Sequence, residues 1–183
     1  MSKRKVAVYI GHGTALDGSY DSGCVYGKNT EAALMKPIVG ACVQYLKGSG
    51  LQVITDFPAN KINMIKQVQQ SNNQNVEVHV AFHCDYSKAP SGTLPLYVSG
   101  NGRKLAKLMN KFIMKRVGIK TRGIGQRSDL YELNATAAPA VIFECGSIKA
   151  DLKAMKKKAD EYGKGAAQGI CAYLGIPFTG KKA

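Results

Sequence analysis

Hydrophobic and polar positions along the chain switch repeatedly between a two-residue and a 3.6-residue period. In KVAVYI, Val6, Val8 and Ile10 recur at every second position and predict a first strand. Leu34, Ile38, Ala41, Val43 and Leu46 then follow helical spacing, which predicts a helix over about 28–47 closed by Gly48 and Gly50. LQVIT reads as a second strand, a polar helix follows around 62–70, and VEVHVAF alternates Val76, Val78, Val80 and Phe82 as a third strand. LPLYV is a shorter strand. Leu105, Leu108, Met109, Phe112 and Ile113 mark a helix over 103–117, and AVIFE after Pro139 is a buried strand. Finally Ile148, Leu152, Met155, Ala159, Tyr162 and Ala166 recur at alternating steps of four and three, with Lys153, Lys156, Lys157 and Lys158 on the other faces, and predict one long last helix. Strand–helix alternation of this kind predicts an α/β fold, a three-layer sandwich with a mostly parallel central sheet and helices on both faces.

Length and composition bound this picture. At 183 residues and 45% hydrophobic content, the chain is long enough for one cored domain and short for two, so a single domain over 1–183 is expected. MSKRK runs straight into strand-like sequence, and no run of 18 apolar residues occurs. The expectation is a monomer made in a cytoplasm without a signal peptide. Five scattered cysteines, odd in number and without any CxxC pair, suggest neither a structural zinc knuckle nor a disulfide framework, and buried, reduced thiols are expected. The net charge of +14 predicts a polyanionic partner: nucleic acid, anionic membrane or anionic wall polymer. Tryptophan is absent, as are an RNP-like aromatic motif and zinc-finger spacing, so no specific nucleic-acid recognition is expected.

The polar residues that matter sit where strands end. His12, in GHGT, follows the first strand, His83 ends the third and Glu144 ends the last. In open α/β sheets ligands bind beyond the carboxyl ends of the strands, so these side chains are expected in one crevice. Glu31 joins them if its helix starts nearby, although a first-turn carboxylate complementing the helix dipole satisfies the same spacing. Two imidazoles and a carboxylate form a His₂Glu zinc set with a position left for water, and Glu144 remains as general base. The glycines flanking His12 fit a turn needing unusual angles and close approach. His79 is read as structural, because four residues along a strand span about 13 Å, too far for two ligands of one ion. Three other readings compete: a zinc peptidase or other amidohydrolase, a Cys84 or Cys145 nucleophile, and a non-enzymatic basic module. The nucleophile reading is disfavoured because strand neighbours point to opposite faces.

Taken in order, GHG at 11–13, Glu31 with YLKGSGLQV, FHCD at 82–85, Arg122-Gly123 with LYEL, and PAVIFECG at 139–146 resemble the zinc-dependent N-acetylmuramoyl-L-alanine amidases of the Amidase_3 type over about 5–174. The resemblance implies Zn²⁺ on His12, Glu31 and His83, catalysis by Glu144, and cleavage of the bond between muramic acid and L-alanine in peptidoglycan. It implies a phage endolysin with one catalytic amidase domain over 1–183 and no separate cell-wall-binding domain, acting on the cell wall after release from the host cytoplasm and held on anionic envelope polymers by its charge. Tyr9-Ile10, Asp85 and Ser147 depart from the family pattern, which often has Asp-Pro, asparagine and an aromatic there.

Overall fold

The computed structural model describes residues 3–183; Met1 and Ser2, the first residues of MSKRK, lie outside the described residues. In chain order the elements are β1 (Lys5–Ile10), β2 (Gly13–Thr14), β3 (Tyr20–Asp21), β4 (Val25–Tyr26), β5 (Asn29–Thr30), α1 (Glu31–Gly48), β6 (Gln52–Ile54), α2 (Met64–Asn73), β7 (His79–Asp85), β8 (Leu94–Tyr97), α3 (Gly100–Val117), β9 (Gly125–Gln126), α4 (Tyr131–Ala135), β10 (Ala140–Ser147), α5 (Leu152–Lys157) and α6 (Ala159–Leu174).

Six strands form one sheet in the order β6-β1-β7-β10-β8-β9. All neighbours are parallel except β10 and β8. Strand parity distributes the core. Val6, Val8, Ile10, Val78, Val80, Phe82, Val141 and Phe143 pack on one face with α1, α3 and α6. Ala7 and Tyr9, and farther along the sheet Ala140 and Ile142, pack on the other face, which carries α2 and α4. Because both faces are covered, the strands read as near-continuous apolar runs. The α/β three-layer architecture expected from the periodicities is the one observed.

Boundaries moved where a cap or a tertiary hydrogen bond intervenes. The first helix begins at Glu31, where Thr30 caps it by accepting from the Ala33 N–H at 3.3 Å. The last helix is not continuous. Ile148 N–H is taken by the Asp85 carbonyl at 2.8 Å, so the chain turns first, and helix starts only at Leu152. A second break falls at Lys158, whose Nζ donates to the Val117 carbonyl at 2.6 Å, joining the α5–α6 junction to the end of α3. No described helix is long and apolar enough to cross a membrane.

Candidate functional site

The GHG turn places the first imidazole. His12 has φ +66, a left-handed conformation that only a few per cent of non-glycine residues adopt, and such strain collects at functional sites. Its Nδ1 lies 2.7 Å from Asp21 Oδ2, which turns Nε2 toward Glu31 Oε2 at 3.4 Å. A Cβ on Gly11 would lie 2.3 Å from the His83 ring, so that position admits only glycine. Gly23 is constrained in the same way: its Cβ would meet Glu31 Oε2 and His12 Cδ2, both at 2.6 Å.

Glu31 opens α1, is buried, and is fixed by two backbone donors, Cys24 N–H to Oε2 at 3.0 Å and Cys84 N–H to Oε1 at 3.1 Å. His83 Nδ1 stands 2.9 Å from Oε1. Burial alone would raise the Glu31 carboxyl, but the His83 hydrogen bond and the charges of both imidazoles outweigh it and hold the group below its usual range. Burial would lower the His83 imidazole, yet the Glu31 hydrogen bond and the surrounding carboxylates raise it.

Glu144 is the register partner of His83 across β10 and β7, so the two side chains emerge side by side on one face. Its Oε2 is buried without a hydrogen-bond partner. Burial pushes its carboxyl up to about 7, with Glu31 and Asp85 adding to the rise and His83 and Arg122 opposing it. Arg122 is the remaining cation nearby. Its Nη1 donates to Asp85 Oδ2 at 2.8 Å and its Nε to the Gly92 carbonyl at 2.9 Å, while Nη2 is buried without a partner. The cleft beside the cluster encloses about 300 Å³ and is lined by Gly11, His12, Leu16, Met64 and His83 among others.

The four residues singled out in the sequence are thus brought together. The donor atoms of His12, Glu31 and His83 all lie within 4.8 Å of one another. The two imidazoles meet the two oxygens of one carboxylate, His12 Nε2 3.4 Å from Oε2 and His83 Nδ1 2.9 Å from Oε1. Two nitrogens, an oxygen and an orphaned carboxylate fit a zinc-type site.

His79 is fully buried, with Nδ1 2.8 Å from Ser71 Oγ and Nε2 2.8 Å from Glu132 Oε1. Cys84 and Cys145 belong to the core on the sheet face opposite His83 and Glu144. Burial pushes both thiols upward, which disfavours the free thiolate that a nucleophile needs when no cation replaces its proton. Asp21, Glu132 and Cys24 were not legible as site neighbours. Asp21 is nine positions from His12 in a loop whose two small ladders, β2–β3 and β4–β5, carry no periodic signal.

Fold and cluster together define an α/β domain with a strand-end His–Glu donor set of the kind that hydrolases use. The family model for N-acetylmuramoyl-L-alanine amidases (Amidase_3) matches residues 6–174, and the chain belongs to that family. Two uncharacterised proteins of Clostridium perfringens are each 28% identical, over 179 and 180 residues, covering 91% of this chain and 51% of their own length. The chain therefore spans about half the length of the curated relatives it matches. Among solved structures, the catalytic domain of CwlV, an N-acetylmuramoyl-L-alanine amidase from Bacillus (Paenibacillus) polymyxa var. colistinus, superposes with TM-score 0.85 at 23% identity, covering 95% of this chain and 99% of that one. An N-acetylmuramoyl-L-alanine amidase of Nostoc punctiforme gives 0.85 at 22% identity, covering 95% and 98%. The catalytic domain of an endolysin targeting Clostridia difficile gives 0.76 at 20% identity, covering 92% and 97%.

Proposed function

We propose that this chain hydrolyses the amide between the lactyl carbonyl of N-acetylmuramic acid and L-alanine in peptidoglycan, with zinc held by His12, Glu31 and His83 and with Glu144 as general base. The observation that carries the reading is the unpartnered, buried Glu144 Oε2 beside three convergent donors. When bound, the ion supplies a Lewis acid that activates water and the carbonyl. Asp21 fixes the His12 tautomer through Nδ1, so that Nε2 faces the cluster. Glu144 takes a proton from the attacking water and returns it to the alanine nitrogen as the C–N bond breaks; the lactyl group leaves as a carboxylic acid and the peptide as an amine. Burial raises this carboxyl in the metal-free protein, which favours its holding a proton between the two transfers.

Leu16, exposed in the 13–30 segment, lines the cleft and offers apolar surface to a substrate. Lys104, Lys107, Lys111 and Lys115 are exposed on α3 at spacings of three and four, and with the net charge of +14 they favour anionic envelope polymers. A lytic role of the endolysin type is part of the same proposal. The test is zinc stoichiometry measured beside a wall-clearing assay, with and without chelator, and with product analysis. New alanine N-termini without new reducing sugar ends are expected. Cleavage only within the stem peptide would support a zinc peptidase instead, and full activity in chelator would remove the metal from the account.

A further inference from the structure

A second donor set lies on the other side of Glu31. Cys24, from the loop between β3 and β4, and Cys84, on β7, are 60 residues apart in sequence, yet their Sγ atoms lie 4.0 Å from each other. With Glu31 they form a group whose donor atoms are all within 4.8 Å. We propose that Cys24, Cys84 and the Glu31 carboxylate form a second metal site, one that takes a thiophilic d¹⁰ cation such as cadmium or excess zinc.

The geometry favours an ion over the other uses of a cysteine pair. Two thiolates about 2.3 Å from a tetrahedral ion stand about 3.8 Å apart, close to the spacing observed. A disulfide would require the sulfurs to close to about 2.05 Å. Both cysteines are already tied to the third donor, since the Cys24 and Cys84 backbone N–H groups each bond one Glu31 oxygen. The sulfurs are otherwise engaged only weakly: Cys24 Sγ donates to the Cys84 carbonyl at 3.3 Å and the Asp85 carbonyl at 3.6 Å. Cys24 is half-buried, which leaves a route for a small ion, whereas Cys42, Cys145 and Cys171 are buried and join no such donor set among the described residues. Binding is an exchange without oxidation: the cation enters, two thiol protons pass to solvent, and the carboxylate completes a two-sulfur, one-oxygen set.

The consequence rests on the proposed function, because Glu31 is also a member of the strand-end cluster. An ion on the cysteine side draws on the same carboxylate and adds positive charge next to the first site. Excess thiophilic metal is therefore expected to inhibit hydrolysis.

The experiment is a cadmium titration of the full chain under reducing conditions. Bound ions are counted by native mass spectrometry, and sulfur-to-cadmium charge transfer is followed in the ultraviolet. Wild type is expected to take two ions and develop the charge-transfer band. Cys24→Ala and, separately, Cys84→Ala are expected to take one ion, with the band falling to baseline. His12→Ala/His83→Ala is expected to keep the band and lose the other ion, which separates failure of the cysteine site from failure of the strand-end site. A wild type that shows no band at saturating cadmium would overturn the proposal, as would a band that survives in both cysteine variants.

Discussion

Two histidines on β7, four residues apart and each facing a glutamate, behave as opposites. His79 is closed on both sides: Ser71 meets one nitrogen, Glu132 the other, and no solvent reaches the ring. His83 stands at the strand end, where Glu31 meets Nδ1 and the neighbouring Glu144 keeps one oxygen unpaired. Residue type does not separate the two. The difference lies in hydrogen-bond accounting, because a buried polar group without a partner costs free energy and persists only where something else compensates. The satisfied pair fastens α2 and α4 to the sheet; the unsatisfied one is left with capacity for chemistry.

The comparison can be broken by exchanging roles. His83→Ala is expected to reduce activity to the chelator-treated baseline and to lower zinc content, while the fold persists; metal analysis beside a clearing assay checks it. His79→Ala should do the reverse, leaving the Glu132 carboxyl buried without its partner and costing about 3–5 kcal/mol in denaturant unfolding, with zinc retained below the melting range. Loss of zinc without loss of stability in that variant would invert the assignment.

A smaller effect should appear in the metal-free protein. Burial raises the folded Glu144 carboxyl from 4.5 to about 7, so between those values the folded state binds more protons than the unfolded one. The favourable contribution is fully present below pH 4.5 and is lost as pH rises through 7. Metal-free Glu144→Gln should therefore be more stable than metal-free wild type above pH 7, by roughly 3 kcal/mol, with the gap closing on acidification. The smallest expected effect belongs to Asp21→Asn, which weakens the orientation of His12 and should reduce zinc affinity about 10–100-fold, measured by competition with a chelator.

The strands were legible because burial on both faces leaves long apolar runs, and three of the four cluster residues because strand ends in an α/β sheet face one edge. Glu31 was legible in position but not in role, since a dipole-complementing carboxylate has the same spacing. The break at Lys158 was invisible: Tyr162 N–H still bonds the Lys158 carbonyl at 3.0 Å, so the apolar period runs through it. Glu132 was missed because α4 is only five residues long, too short to show a period. Asp21 and Cys24 reach the site through a loop folded by left-handed residues and short ladders, whose course depends on tertiary contacts with His12, Glu31 and Cys84.

The most direct test of the central claim is the turnover of a soluble muropeptide by Glu144→Gln, with zinc counted in the same preparation. The variant keeps the size of the side chain and removes its basicity. Zinc should stay at one per chain under stoichiometric loading while kcat falls about 10²–10⁴-fold, and the rise of wild-type activity with pH through Glu144 ionisation should disappear. Near-wild-type kcat with zinc in place would contradict the account, and loss of zinc would make Glu144 a ligand instead of a base.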